Sequence, residues 1–171
     1  MHNFFRIILK GLIYFMCKRI LVFSDTHLGI DPCVDVIKKI PDVDMIIHAG
    51  DHSTDAMRLQ RLFPDIPIKY VDGNCDFSTA PTELTFEVDG KRFFVTHGHR
   101  YNAKNESDYQ TLRSKGNEIN ADVIVFGHTH IPFNDKSKGY ILLNPGSIKF
   151  GSTYGIIEIE HEKINSAIID C

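Results

Sequence analysis

Five short stretches of this chain carry side chains that bind metal ions: Asp25-Thr-His27, Gly50-Asp51, Gly73-Asn74, His97-Gly-His99 and Gly127-His128-Thr-His130. Each sits where an apolar run stops. Carboxylate, imidazole and amide donors without a thiolate suit a hard to borderline divalent ion, manganese first, with iron, zinc or nickel as alternatives. Asp25, His27, Asp51, Asn74, His97, His128 and His130 offer more donors than one catalytic ion accepts while keeping positions open, so the economical reading is two neighbouring ions. The chemistry open to such a pair is hydrolysis by an activated water. Singly, each motif has an ordinary explanation, a helix cap, a turn or a solvated loop. Their shared placement after five different apolar runs is what argues for convergence.

Those motifs need strands to carry them, and the order of elements is legible. Arg19 to Ser24 reads as a buried strand, followed by a helix with Asp31 as cap and Pro32 in its first turn, ended by Pro41. Asp44 to His48 is the next strand, Ser53 or Thr54 caps a second helix through Leu62, and Ile66 to Val71 is a third strand. This succession predicts parallel pairing with right-handed crossovers, which places Asp25, Asp51 and Asn74 past the carboxyl ends of adjacent strands. The second half predicts antiparallel pairing, because Asp89-Gly90 between Glu83 to Val88 and Lys91 to Thr96 signals a two-residue hairpin. Asn105 is expected to cap a helix running through Leu112 towards Gly116, and Val123 to Phe126, Tyr140 to Leu143, Gly155 to Glu160 and Ile164 to Ile169 read as strands. About nine strands with three main helices are too much sheet for one layer. The predicted fold class is therefore α/β, a four-layer αββα sandwich of two mixed sheets flanked by helices, with the site on the rim where both sheets deliver loops.

Length and charge narrow the function. The 171 residues suit one domain, read as 17–171, and the net charge of −3 with pI near 6.3 argues against a broad basic surface for sliding along nucleic acid. Lys91, Arg92, Arg100 and Lys104 enrich at most one edge. Cys17, Cys33, Cys75 and Cys171 form no CxxC pair and are expected as free thiols in a reducing compartment. Residues 1–16 form an extension in which Phe4, Phe5, Ile8, Leu9, Leu12, Phe15 and Met16 repeat at helical spacing. It is too short to span a bilayer and shows no small-residue cleavage site, and Met16-Cys-Lys-Arg reads as a natural start. The rival reading of this segment is an amphipathic anchor on a membrane surface.

The ordered set of motifs, continued by Asn144-Pro-Gly-Ser147, resembles the calcineurin-like metallophosphoesterase superfamily, nearest its small, cap-free bacterial and archaeal phosphodiesterases, over residues 19 to 169. The resemblance implies that Asp25, His27 and His130 hold one ion, that Asn74, His97 and His128 hold the other, and that Asp51 bridges both. It also implies the two-sheet fold. Two ions roughly 4 Å apart share a water, lower its pKa towards neutrality, aim the hydroxide at phosphorus and neutralise the phosphoryl oxygens. The implied activity is hydrolysis of small phosphodiesters by a cytoplasmic enzyme, with phosphomonoesters as the alternative substrate class.

One position departs from the family. Many relatives carry His where this chain has Cys75, and that His protonates the leaving group or binds phosphate. A thiol with an ordinary pKa of about 8.5 is a poorer acid at pH 7. Cys75 is therefore either a weak stand-in or a small buried thiol packed behind the ions, and Asp76 is left to contact water or a ligand. His99, Arg100 and His52 either reach phosphate or are solvated loop residues, whereas Ser147 has no relay to make it a nucleophile. Only 22 residues separate Asn74 from His97, which leaves no room for a cap or a nucleic-acid channel and predicts an open site for a small substrate. A non-catalytic scaffold, as in the retromer branch of the superfamily, is the rival from another class. A homodimer or homotetramer is compatible with exposed hairpins.

Overall fold

The computed structural model describes residues 17–171 together with two short strands, β1 (Ile8–Leu9) and β2 (Leu12–Ile13), which pair antiparallel. The other residues of the 1–16 extension, on which the anchor and start-site readings rest, lie outside the described residues.

β3 (Lys18–Phe23), α1 (Asp31–Lys39), β4 (Met45–His48), α2 (Ser53–Leu62) and β5 (Ile68–Tyr70) follow in the expected order, and the three strands pair in parallel. β11 (Thr153–Glu160) and β12 (Lys163–Asp170) add antiparallel at the β3 edge, giving the order β12-β11-β3-β4-β5. The second sheet begins with β6 (Glu83–Val88) and β7 (Lys91–Thr96), whose register sets Val88 opposite Lys91. Asp89 and Gly90 take φ of 47° and 76°, the left-handed pair a two-residue turn requires. β8 (Val123–Val125), β9 (Phe133–Asp135) and β10 (Ile141–Asn144) complete the order β6-β7-β8-β10-β9, with β7, β8 and β10 parallel. α3 (Gln110–Glu118) connects β7 to β8.

The alternation of side chains along these strands produces three apolar layers, and three layers require four slabs of structure. Ile20, Val22, Ile47, Val95, Val125 and Leu143 meet between the sheets. Leu21, Phe23 and Ile46, on the opposite face of the first sheet, pack under Cys33, Val36 and Ile37 of α1 and Leu59 of α2. Phe94, Ile124 and Leu142 pack in the same way against Leu112 of α3. Central strands buried on both faces read as continuous apolar runs, which is why β3, β4 and β8 were visible in the sequence. The architecture is the αββα sandwich of two mixed sheets. Among the described residues no helix is long and apolar enough to cross a membrane.

Local signals were less reliable. β9 was not anticipated, because Phe-Asn-Asp has no apolar alternation; it forms by pairing with the outer edge of β10. Asp31 begins α1 rather than capping it, and no side chain caps that end. Neither Ser53 nor Thr54 caps α2: His52 stands at the cap in a left-handed conformation, and the Ser53 amide donates to Asp76 Oδ1 at 2.7 Å. Asn105 does not cap α3 either. It donates to Asn102 Oδ1 at 2.6 Å in the preceding turn, and Glu106 receives the Thr111 amide at 2.8 Å near the helix start.

Candidate metal centre

All five motifs lie at one rim of the sandwich, and backbone hydrogen bonds stitch them together. The Asp25 amide donates to the Gly50 carbonyl at 3.1 Å, joining the loops after β3 and β4. The Gly127 amide donates to the His97 carbonyl at 3.1 Å, joining those after β7 and β8. The two sheets are then tied to each other, because the His128 amide donates to Asp25 Oδ2 at 3.2 Å and Ser147 Oγ donates to the Asp25 carbonyl at 2.8 Å. Asn144 donates to the Gly127 carbonyl at 2.8 Å and to Thr129 Oγ1 at 3.0 Å, fastening the His128-Thr-His130 loop.

Within this frame the donor atoms of Asp25, His27, Asp51 and His130 all lie within 4.8 Å of one another. His130 Nε2 is 3.1 Å from Asp25 Oδ1, and His27 Nε2 is 3.9 Å from Asp51 Oδ2. His97 adds Nε2 at 3.2 Å from Asp51 Oδ1, with the His128 ring 5.1 Å from its own. Asn74 is tied to its neighbour in the chain rather than to the other expected ligands. It is exposed, its amide nitrogen donates to Cys75 Sγ at 3.4 Å, and it makes no hydrogen bond to the other six.

The backbone here is bent to serve the side chains. Asp25, His27, Asp51, His52, His128 and His130 take φ between 42° and 72°, left-handed conformations that cost a non-glycine residue roughly 1–3 kcal/mol each and collect at functional sites. Gly50, at φ 94°, is required, because a Cβ there would meet the His97 ring at 2.8 Å.

Two observations show that this donor set fits cations. First, His97 Nδ1 lies 2.8 Å from the Ala49 carbonyl, which only accepts, so Nδ1 carries a hydrogen and Nε2, facing Asp51, is the nitrogen left to bind either a proton or a cation. Second, His97 Nε2 and Asp25 Oδ1 are buried without a hydrogen-bond partner. Acceptors facing acceptors in a buried place cost energy unless a proton or metal ion sits among them. The titration directions of His27, His99 and His128 agree, and that of His97 shows a proton competing for the same place. Burial pushes His27 below the ordinary histidine value against the pull of the Asp51 and Asp25 charges, and burial together with neighbouring positive charge pushes His99 down and His128 to about 4, so His27 and His128 hold free lone pairs at neutral pH. His97 moves up, although its burial works against charge, because the Asp51 and Asp25 carboxylates favour its proton. Burial also opposes charge on Asp51, yet His97 and the Cys75 amide, 3.0 Å from Oδ1, hold its carboxyl well below the usual range.

The third motif differs from expectation. Cys75 is exposed, so it is not a buried packing thiol, and burial of its sulfur edge with the Asp51 and Asp76 charges pushes its thiol up to about 11. Asp76 contacts no donor of the cluster: its Oδ2 receives the Gly73 amide at 2.7 Å and its Oδ1 the Ser53 amide, pinning the loop to α2. His99 lies near the cluster, its ring 5.5 Å from that of His97 and 6.1 Å from that of His128, with a buried unpartnered Nδ1. Arg100 is exposed, and the His52 ring lies 5.3 Å from that of His27. Arg92 adds no free charge to that edge, because it binds the Ile119 carbonyl and Glu87.

Sequence reasoning missed the support behind the first motif. Asp55, fully buried on α2, receives the Thr26 hydroxyl and the Leu28 amide, both at 2.8 Å, and so holds the Asp25-Thr-His27 loop from both ends. His48 completes the network. It accepts from the Gly50 amide through Nδ1 and places Nε2 3.1 Å from Thr26 Oγ1, while burial pushes it down to about 4. Asp55 lies four residues after Asp51 on a helix that opens at the motif, but nothing local distinguishes it from a surface helix residue.

The sequence profile of the calcineurin-like phosphoesterase superfamily domain matches residues 19–162. The chain is 34% identical over 155 residues to the probable metallophosphoesterase YsnB of Bacillus subtilis strain 168, covering 84% of this chain and 85% of that protein. It is 24% identical over 165 residues to the phosphodiesterase MJ0936 of Methanocaldococcus jannaschii, covering 90% of each. In fold it is similar to vacuolar protein sorting 29 of Cryptosporidium parvum, with a TM-score of 0.70, 14% identity and coverage of 90% of this chain and 97% of that one.

Proposed function

The chain belongs to the calcineurin-like phosphoesterase superfamily, and from that premise we propose that it is a phosphodiesterase acting on small substrates with two divalent ions, manganese in the first place. The observation that carries this reading is the meeting of Asp25, His27, Asp51 and His130 donor atoms within 4.8 Å, beside buried acceptors that have no partner of their own. In the proposal Asp25, His27 and His130 hold one ion, Asn74, His97 and His128 the other, and Asp51 both. Asn74, exposed in this structure, would supply an amide oxygen to the second ion. When bound, the ions supply Lewis acidity towards phosphoryl oxygens and a water.

The chain's own residues do the rest. The Cys75 amide and His97 keep Asp51 ionised, the Ala49 carbonyl aims His97 Nε2 inward, and Asp55 with Thr26 fixes the loop carrying Asp25 and His27. Cys75, its pKa near 11, retains its proton at neutral pH and gives it up reluctantly, so leaving groups that need no proton are favoured. His99 stands near enough to orient a phosphoryl oxygen. Four free cysteines fit a reducing cytoplasm. The similarity to a phosphodiesterase supports the diester over the monoester.

The test is hydrolysis of a panel of chromogenic phosphodiesters, cyclic nucleotides and phosphomonoesters with added manganese, iron, zinc or nickel, in wild type and Asp51→Asn. Metal-dependent diester hydrolysis that falls at least 100-fold in Asp51→Asn is expected. Folded protein inert towards every substrate with every ion would overturn the proposal and favour the scaffold reading.

A further inference from the structure

Large apolar side chains left in solvent follow several of the site motifs along the chain. Leu28 follows His27, Ile131 follows His130 and Phe77 follows Asp76, and all three are exposed. Phe150 is the most informative member. It lies beyond the Asn144-Pro-Gly-Ser147 turn, and its ring stacks on His130 at 5.7 Å and 17° and leans on His27 at 5.2 Å. Even so, 64% of its surface faces water. The main chain that carries the ring is tied down, because the Phe150 amide donates to Ser147 Oγ at 3.1 Å. Beside it Lys149 Nζ donates to the His27 carbonyl at 2.6 Å and lies 5.4 Å from the Phe150 ring centre. One wall of the site is thus an aromatic surface laid on two imidazoles, with a cation held at its edge.

Exposing such a ring costs free energy that burial elsewhere would recover, and its backing by two imidazoles fixes where a second ring would stack. The adjacent ammonium suits an anionic group attached to that ring. We propose that Phe150 is a specificity-determining residue that stacks on an aromatic ester group of the substrate, so that the preferred substrates are aryl or nucleobase-bearing phosphoesters rather than alkyl ones. This rests on the phosphoesterase reading and names the substrate class of that site. Phe150 touches the organic group alone and takes no part in bond cleavage.

The experiment measures binding of phenyl phosphate and methyl phosphate to manganese-loaded protein by calorimetry, so that leaving-group chemistry plays no part. Wild type is expected to bind phenyl phosphate about tenfold more tightly than methyl phosphate, the usual size of a stacking contribution. In Phe150→Ala that preference should fall to about twofold or less, with methyl phosphate binding unchanged, and Phe150→Trp should restore it. A preference that survives intact in Phe150→Ala, or is absent from wild type, overturns the proposal while leaving the metal site standing. A loss of methyl phosphate binding in Phe150→Ala would show that the ring only props His27 and His130, and also overturns it. If neither phosphate binds wild type with manganese present, the metal-centre reading fails first and this one with it.

Discussion

Gly73→Ala tests whether the geometry around Asp51 is what makes the site work. A Cβ at residue 73 would fall 2.1 Å from Asp51 Oδ1 and 2.4 Å from the Asp51 backbone nitrogen, whereas ordinary contact begins at 3.4 Å. A rotamer change could relieve the side-chain contact but not the backbone one, so one of the two loops must move by about 1.0 Å (3.4 Å less 2.4 Å). Overpacking of this kind costs about 1–3 kcal/mol, which a domain with a typical stability of about 5–15 kcal/mol survives. A displacement near 1 Å among reacting groups costs about 100-fold in rate. The variant should fold, lose about 100-fold in kcat/KM on a chromogenic phosphodiester, and bind manganese at least tenfold more weakly by calorimetry. Gly29→Ala is the matched control, because its Cβ would meet nothing closer than 3.4 Å although it lies two residues from His27. Wild-type activity and manganese affinity in a folded Gly73→Ala protein would refute the placement of Asp51 at the centre of the site.

Other outcomes follow from the same structure. His48 is buried and its pKa falls from 6.5 to about 4, so the unfolded chain takes up a proton as pH drops through 6.5 and the folded chain does not. Stability should therefore be lost between pH 6.5 and 4, by about 3 kcal/mol at about 1.4 kcal/mol per unit, and level off below. Urea unfolding of chelator-treated protein should show this slope shrinking by most of that amount in His48→Gln, and identical slopes would contradict it. Cys75→His should raise turnover of alkyl diesters about tenfold or more while changing aryl diesters little, flattening the leaving-group dependence. Equal wild-type rates for aryl and alkyl esters would count against a missing acid.

The legible part of the fold was the part controlled by side-chain periodicity. Runs such as Ile20 to Phe23 and Val123 to Val125 are apolar on every residue, which only strands buried on both faces tolerate, and Asp89-Gly90 supplied its own turn chemistry. Helix ends were misread because their caps come from elsewhere: Asp76, far along the chain from Ser53, receives its amide. The edge strand Phe133–Asp135 escaped notice because its reason to exist is the partner edge of β10, not its own composition.

The amino-acid order by itself determined the inventory of donors and their position at strand ends, since burial patterns and residue types are local properties of the chain. Only the tertiary structure decided how those donors face one another: that His97 points inward because the Ala49 carbonyl holds its other nitrogen, that Asp55 and His48 fasten the first loop, and that Phe150 returns to lie on His27 and His130. Orientation and charge balance depend on atoms brought together from distant parts of the sequence, and no spacing rule along the chain encodes where those atoms will meet.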